Sequence, residues 1–280
     1  MLPFTMSEAP QAHFNFARDV VERWAIQQPD SVALWCVSDQ HPAEQKLTFR
    51  QLSRDLRRAA SFFHQLGIRR GDRVLIIAPR VPQWWIAMLG LTRLGAIPIP
   101  GTPMLTSGDI KYRLQTSEAC ALLTDAEGAA KAKSLEIRHR ILIGEDSSLS
   151  PSEGERAGER GPFGHALSSP QTAPSADHPA WTNFDTGLAQ ADPDFDPPPT
   201  RTDDSGIIYF TSGTTGPPKM VLHTQASYGL GHRITGQLWL DLKPNDVHWC
   251  ITDTGWAKAA WSCLFGPWHM GACVFAMDAR

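Results

Sequence analysis

Arg73-Val74-Leu75-Ile76-Ile77-Ala78 is the stretch on which the fold turns. Its centre is an unbroken run of apolar residues. A strand with one wet face alternates apolar and polar side chains, whereas a parallel strand covered by helices on both faces reads as a continuous apolar run. The flanks repeat the message. Val81 to Leu94 reads as a helix closed by Gly95, and Ala96 to Ile99 as the next strand. Upstream, Phe14 to Gln28 reads as a helix on the Phe16, Val20, Trp24 spacing, and Ser31 to Val37 as a strand. Thr48 and Gln51 form a capping box, Leu52, Leu56, Ala59, Phe63 and Leu66 recur at intervals of four and three, and Gly67 ends that helix. Downstream, Asp109–Thr116 and Glu127–Leu135 read as helices, and Ala119–Thr124 and Arg140–Ile143 as strands. This alternation predicts an α/β fold, with layered helices around mainly parallel β-sheets.

Composition narrows the function classes. The chain has 280 residues, 42% hydrophobic and 20% charged, with a formal net charge of -3. That balance offers no basic excess for nucleic acid or an anionic membrane. Arg54, Arg57 and Arg58 on one predicted helix face are expected to be solvated charge. The five cysteines, Cys36, Cys120, Cys250, Cys263 and Cys273, have no metal-ligand spacing and form no evident disulfide framework. They are expected to be small buried apolar residues in a reducing compartment. The ten histidines contain no His-Glu-x-x-His, and no protein-built metal site is expected. Residues 1–16 lack the pattern of a signal or transit peptide, which points to the cytoplasm, or to the mitochondrial matrix for a eukaryotic chain incomplete at its N-terminus. Ala259 to Met277 carries no Asp, Glu, Lys or Arg, yet Gly266-Pro267, His269 and Gly271 interrupt it. A buried helix, a turn and a buried strand fit it better than a membrane span.

The alternation stops at Gly144. Residues 145–204 form a Pro-, Ser- and Gly-rich stretch, read as an insertion or linker between a first α/β unit at 1–144 and a second at 205–280. Within it, 145–179 is expected to be a loosely held surface insertion, and Trp181, Phe184 and Leu188 to restore one packed turn. Order returns with the apolar strand Gly206–Phe210. It runs into Thr211-Ser212-Gly213-Thr214-Thr215-Gly216-Pro217-Pro218-Lys219. Gly213 and Gly216 let backbone N–H groups approach an anion, and the four hydroxyl residues add donors. Pro217-Pro218 limits slack, and Lys219 brings a mobile positive charge. The loop is therefore a candidate wrap for phosphates. A P-loop does not fit, because the spacing is Gly213-x-x-Gly216-x-x-Lys219 and Met220 stands where the magnesium-binding hydroxyl belongs.

This segment resembles the signature loop of the adenylate-forming superfamily, which comprises acyl-CoA synthetases, adenylation domains and luciferases. Met220 after the lysine is similar to the medium-chain acyl-CoA synthetase family. So are Phe14–Val20, Pro100-Gly101-Thr102 with Asp109-Ile110-x-x-Arg113-Leu114-Gln115, and Thr252-Asp253-Thr254-Gly255-Trp256 with Pro267-Trp268-x-x-Gly271-Ala272. The resemblance implies the N-terminal part of the large adenylate-forming domain. It implies ATP, Mg2+ and coenzyme A as co-substrates, and a medium-chain or aromatic carboxylic acid as acyl substrate. The acid would form an acyl-adenylate with loss of pyrophosphate, and coenzyme A would then displace AMP. Thr211 to Lys219 would hold the β- and γ-phosphates, with Lys219 catalytic, and Gly255 and Trp256 would line the acyl pocket. An ordinary core aromatic is the plainer alternative for Trp256. Met104 falls where relatives can place a polar coenzyme A contact, which a methionine cannot donate.

The family's later elements, an aromatic-Gly-x-Thr-Glu segment, a ribose-binding Asp and a mobile C-terminal lid domain with its own lysine, are not found before Arg280. The chain is accordingly read as an N-terminal half that depends on a C-terminal half, inactive alone. The strand ending at Met277 is expected to leave an exposed edge near Val274. The contrasting expectation is a non-catalytic fragment that at most binds nucleotide or pairs with another chain. A carrier-loading adenylation domain is a third, disfavoured by Asp253-Thr254-Gly255-Trp256 by analogy.

Overall fold

The computed structural model describes residues 12–39, 44–144, 180–212 and 216–279. The surface insertion expected at 145–179 lies outside the described residues. Eleven strands are described: β1 (Val32–Ser38), β2 (Gln45–Thr48), β3 (Arg73–Ile77), β4 (Ile97–Gly101), β5 (Ala121–Thr124), β6 (His139–Leu142), β7 (Thr182–Asn183), β8 (Ser205–Thr211), β9 (Lys219–Thr224), β10 (Val247–Trp249) and β11 (Cys273–Asp278). They build three sheets, ordered β4-β3-β5-β6-β7, β10-β11-β1-β2 and β8-β9. The five-stranded sheet is parallel throughout. In the four-stranded sheet only β2 runs antiparallel, and β8-β9 is an antiparallel hairpin. The protein is thus an α/β fold of helices around mainly parallel sheets.

The run through β3 behaves as its composition demands. Val74 and Ile76 join one buried cluster with Phe63, Leu56 and Trp84, while Leu75 and Ile77 join a second with Ile99, Ile110 and Leu114. The strand is dry on both faces. Burying each such side chain contributes about 1.5–3 kcal/mol. The first cluster lies under the Phe49–Gln65 and Pro82–Leu94 helices. Thr48 and Gln51 cap the former reciprocally. Both helices end alike: Gly67 and Gly95 take φ of 91° and 78°. Ile68 and Ala96 then reach back to the Phe63 and Leu91 carbonyls at 3.0 and 2.9 Å.

The chain from residue 180 onward is part of this core. β7 extends the sheet beside β6. Fully buried Phe184 packs against Phe62 and Phe63 at 5.5 and 5.8 Å between ring centres. Thr200, also buried, donates to the Phe14 carbonyl at 2.6 Å.

An ion network ties these parts together. Buried Arg93 donates to Glu22 at 2.8 Å and to Asp196 at 2.6 Å. Glu22 also accepts from Arg57 at 3.0 and 3.2 Å. Arg57 is therefore more than a solvated charge: Glu22, contributed by a distant turn of the chain, recruits it. The Asp196 carboxyl sits below its ordinary range because Arg93 hydrogen-bonds it.

The edge expected near Val274 does not exist. β11 lies inside its sheet, with β10 on one side and β1 on the other. The edge belongs to β10, whose return to the sheet from outside the local pattern was not readable. Only one face of this sheet is covered. Leu34, Cys36, Val274 and Ala276 are buried beneath it, whereas Val247, Trp249 and Met277 are 56%, 53% and 39% exposed. Phe275 meets Trp35 and Trp249 edge-on along that open face.

The two large sheets meet at the carboxyl ends of their strands. Thr254 donates to the Ala78 carbonyl at 2.6 Å, and Arg80 to the Thr252 carbonyl at 2.8 Å. Gly255 lies flat on the chain after β4. A Cβ there would stand 2.0 Å from the Thr102 nitrogen and 2.4 Å from the Gly101 carbonyl carbon.

Two predictions follow this geometry, both read by urea unfolding. Glu22→Ala leaves the buried Arg93 with Asp196 alone and should cost about 3–5 kcal/mol, as for other broken buried pairs. Asp30→Ala, which breaks the exposed Arg50 pair, should cost no more than about 1 kcal/mol. Similar losses would show that the Glu22 network is not structural. Gly255→Ala should cost about 1–3 kcal/mol or more through backbone collision. Gly108→Ala, whose Cβ would meet only the Thr106 hydroxyl at 3.8 Å, should be neutral within about 1 kcal/mol. Equal behaviour of the two alanines would refute the close approach.

Candidate functional site

β8 is buried and β9 mostly exposed, so the hairpin stands on the body of the protein by one strand. Thr211 and Lys219 are paired across its end, and the Thr211 hydroxyl donates to the Lys219 carbonyl at 3.4 Å. Thr211, Ser212, Gly216, Pro217 and Lys219 are exposed, and Pro218 is half-buried. Gly216 has φ of 95° with open space where a Cβ would be. Gly213, Thr214 and Thr215 lie outside the described residues.

The helix after β4 holds this hairpin end. Thr106 and Asp109 cap Ser107–Ser117 reciprocally. From that helix Tyr112 donates to the Pro218 carbonyl at 2.9 Å. Its ring meets Phe210 edge-on at 6.1 Å, and the Arg113 guanidinium lies 5.2 Å over the Phe210 ring. Arg113 belonged to a motif noted in the sequence; Tyr112, between the quoted positions, had no local signal.

Trp256 stands beside Gly255 at the start of the next short helix and is 60% exposed. It is not a core aromatic. The turn that presents it is closed by Asp253, whose carboxylate accepts from the Gly255 N–H at 2.9 Å. Met104 is 76% exposed on the loop after β4.

Sequence reasoning missed the cleft beyond. His232, Ile234, Thr235, Leu238, Trp239 and Trp261 line a largely apolar cavity of about 500 Å³. Half-buried His232 has its titration pushed down to about 4 by desolvation, so it is neutral at pH 7. Its Nδ1 pairs with the Thr235 hydroxyl at 3.0 Å. Tyr228 joins everything. Its ring contacts His232 at 4.3 Å, His223 of β9 at 4.5 Å and Tyr209 of β8 at 5.8 Å. Its hydroxyl donates to the carbonyl of Ala257, the residue after Trp256, at 3.2 Å. One aromatic side chain thus fixes hairpin, cleft and Trp256 turn relative to one another. No short-range pattern marks this, because its partners are spread from residue 209 to 265.

Among the described residues no helix is long and apolar enough to cross a membrane, and no three His, Cys, Asp or Glu side chains converge as a metal site.

Comparison with known proteins fits this geometry. The mouse mitochondrial acyl-coenzyme A synthetase ACSM3 is 37% identical over 280 residues, covering 96% of this chain and 43% of that protein. The mouse mitochondrial ACSM5 enzyme is 37% identical over 277 residues, 95% of this chain and 42% of its own length. The chain therefore spans less than half the length of these relatives. In solved structures, the anthranilate CoA ligase AuaEII in complex with anthranoyl-AMP superposes with a TM-score of 0.77 at 21% identity, covering 96% of this chain and 46% of that one. A Brucella canis acyl-CoA synthetase gives 0.77 at 22% identity, with 98% and 45% covered. These two establish the shared fold. The AMP-binding enzyme family matches residues 21–280, and this chain belongs to it.

Proposed function

We propose that this chain supplies the phosphate-gripping and acyl-binding part of an acyl-CoA synthetase acting on Mg-ATP, a medium-chain or aromatic carboxylic acid and coenzyme A. The observation that carries the reading is the junction at Tyr228, which sets an exposed hydroxyl- and lysine-bearing hairpin, an apolar cleft and Trp256 side by side. The anion end of one substrate and the apolar end of another can then lie against a single rigid unit. The kinship with acyl-CoA synthetases supports the same assignment. A compartment that supplies Mg-ATP and coenzyme A, cytoplasm or mitochondrial matrix, suits it.

In the proposed reaction the carboxylate oxygen attacks the α-phosphorus, the bond to the bridging oxygen breaks, and pyrophosphate leaves with the electron pair. Coenzyme A sulfur then attacks the acyl carbon, and AMP leaves. Thr211, Ser212, Thr214 and Thr215, with the N–H groups of Gly213 and Gly216, would donate to the β- and γ-phosphates. Pro217 and Pro218 would hold the hairpin end taut. The Lys219 ammonium would offset negative charge as it grows on the departing pyrophosphate, where fixed donors matter most. Gly255 and Trp256 would meet the acid near its carboxylate, with the tail in the His232–Trp261 cleft. Neutral His232 adds no charge there to repel an apolar chain.

A second reading, that these residues act only with more polypeptide, rests on the open aromatic face of the β10-β11-β1-β2 sheet. Parallel strands are ordinarily covered on both faces. The relatives are more than twice as long, and a C-terminal part like theirs would supply the cover and the grip on the rest of ATP, since positioning makes up much of the barrier reduction.

The test is pyrophosphate release, with acyl-CoA detected by mass, from this chain alone and fused to the C-terminal portion of a relative. The chain alone should make no acyl-CoA. The fusion should turn over, and Lys219→Ala in it should slow adenylation roughly 100- to 1,000-fold. Unchanged pyrophosphate release in that variant would remove Lys219 from the mechanism. Turnover by the chain alone, abolished by the same substitution, would overturn the dependence on further polypeptide.

A further inference from the structure

Lys219 is held through the backbone on both sides of it. Pro217 and Pro218 have no N–H, so the strand pairing that ends at Thr211 and Lys219 cannot continue toward Gly216. Their rings fix φ and leave the carbonyl groups as the handles on that strand. Tyr112 takes the last of them, its hydroxyl donating to the Pro218 carbonyl at 2.9 Å. That carbonyl shares a planar peptide unit with the Lys219 nitrogen, so holding it fixes the plane from which Lys219 departs. On the other side the Lys219 carbonyl accepts from the Thr211 hydroxyl at 3.4 Å. Lys219, Met220, Val221 and Leu222 are all exposed, so burial does little to hold this strand. Among the described residues, Tyr112 is the only side chain outside the hairpin that hydrogen-bonds 216–222.

We propose that Tyr112 is a positioning residue, whose hydroxyl fixes the Lys219 backbone against the body of the protein and so sets where the ammonium meets a polyphosphate. The inference rests on the reading of the hairpin as the phosphate grip. Tyr112 is suited to the role because its own place is fixed. Its helix buries Ile110 and Leu114 and starts on the reciprocal Thr106–Asp109 cap. The loop before that cap is closed by Leu105, whose N–H donates to the Thr102 carbonyl at 3.2 Å. Thr102 is also the residue against which Gly255 rests. The lysine end of the hairpin and the Trp256 turn are therefore both measured from Thr102, one through the Tyr112 helix and one by direct contact. A shift of the Lys219 backbone is amplified at the end of its long side chain, and attraction between charges falls with their separation. The glycines at 213 and 216 can adapt to a ligand, whereas the cation has a fixed base.

The test uses the purified chain and Tyr112→Phe, which removes the hydroxyl and keeps a ring to meet Phe210. Amide hydrogen exchange over 219–222 should quicken roughly 2- to 10-fold, the factor that one net hydrogen bond supplies. Exchange over 74–77 in β3 should not change, since only local opening is affected. Affinity for magnesium pyrophosphate, read by calorimetry, should fall by a similar factor, and Lys219→Ala should lower it at least as far. Unchanged exchange over 219–222 would overturn the assignment. An equal rise over 74–77 would do the same, by marking a general loss of stability, and so would wild-type affinity in Tyr112→Phe. Equal uptake of pyrophosphate by the wild-type chain and Lys219→Ala, or none by either, would instead remove the phosphate reading of the hairpin. The exchange data would then decide by themselves whether Tyr112 holds Lys219.

Discussion

The approach of Gly255 to the backbone of Gly101 and Thr102 is the contact on which the site depends. One parallel and one mainly parallel sheet each deliver strand ends to one side, the usual place for a binding crevice in α/β proteins. Those ends become a single surface only where the chains touch, and here they touch without an intervening side chain. Arg80 and Thr254 reinforce the seam from either flank with bonds to backbone carbonyls. Trp256 is carried out to solvent as a consequence, because the turn that seats Gly255 turns the next residue away from the core.

Rigidity at the seam spreads through aromatic contacts. Tyr228 has its hydroxyl on the Ala257 carbonyl and its ring among Tyr209, His223, His232 and Phe265. Aromatic pairs of this kind add roughly 0.5–1.5 kcal/mol each beyond the area they bury. The hairpin is held on its other side by Tyr112 and Arg113. The hairpin end is thereby anchored at both flanks, while Thr211, Ser212, Gly216, Pro217 and Lys219 stay exposed.

What was legible in the sequence was what is encoded locally. The dry run of β3, the Thr48–Gln51 cap and the Gly67 and Gly95 terminators depend on residues within a few positions of one another, and each took the form expected. The strand Gly206–Phe210 and the glycine- and hydroxyl-bearing run after it were legible for the same reason, being contiguous, whereas their antiparallel pairing with β9 was not. The Glu22–Arg93–Asp196 network was not, since its members lie 71 and 103 residues apart. The order of strands was not legible either. The apolar run at Ala272–Met277 announced a buried strand, but nothing in it said that β10 would pair outside it and make it interior. The cleft at His232 and Trp261 was hidden because its two walls come from separate elements.

The two large sheets differ in how completely water has been removed from them, and this explains the distribution of strength in the chain. The five-stranded sheet buries both faces, and the Phe49–Gln65 and Ser107–Ser117 helices on it each start with a reciprocal cap. The four-stranded sheet buries one face against Trp268, whose indole donates to the Ala33 carbonyl at 2.9 Å, and leaves Trp249, Phe275 and Trp35 in a row on the other. Lys46 covers part of Trp35, with its ammonium 3.9 Å from the ring centre. That is a modest screen, worth about 0.5–1 kcal/mol at an exposed site, and it leaves the apolar row largely wet. Loss of the cooperative cover therefore falls on β10 and β11. These strands flank the Trp256 turn, so the least protected sheet is also the one that positions the residues proposed to meet the acid.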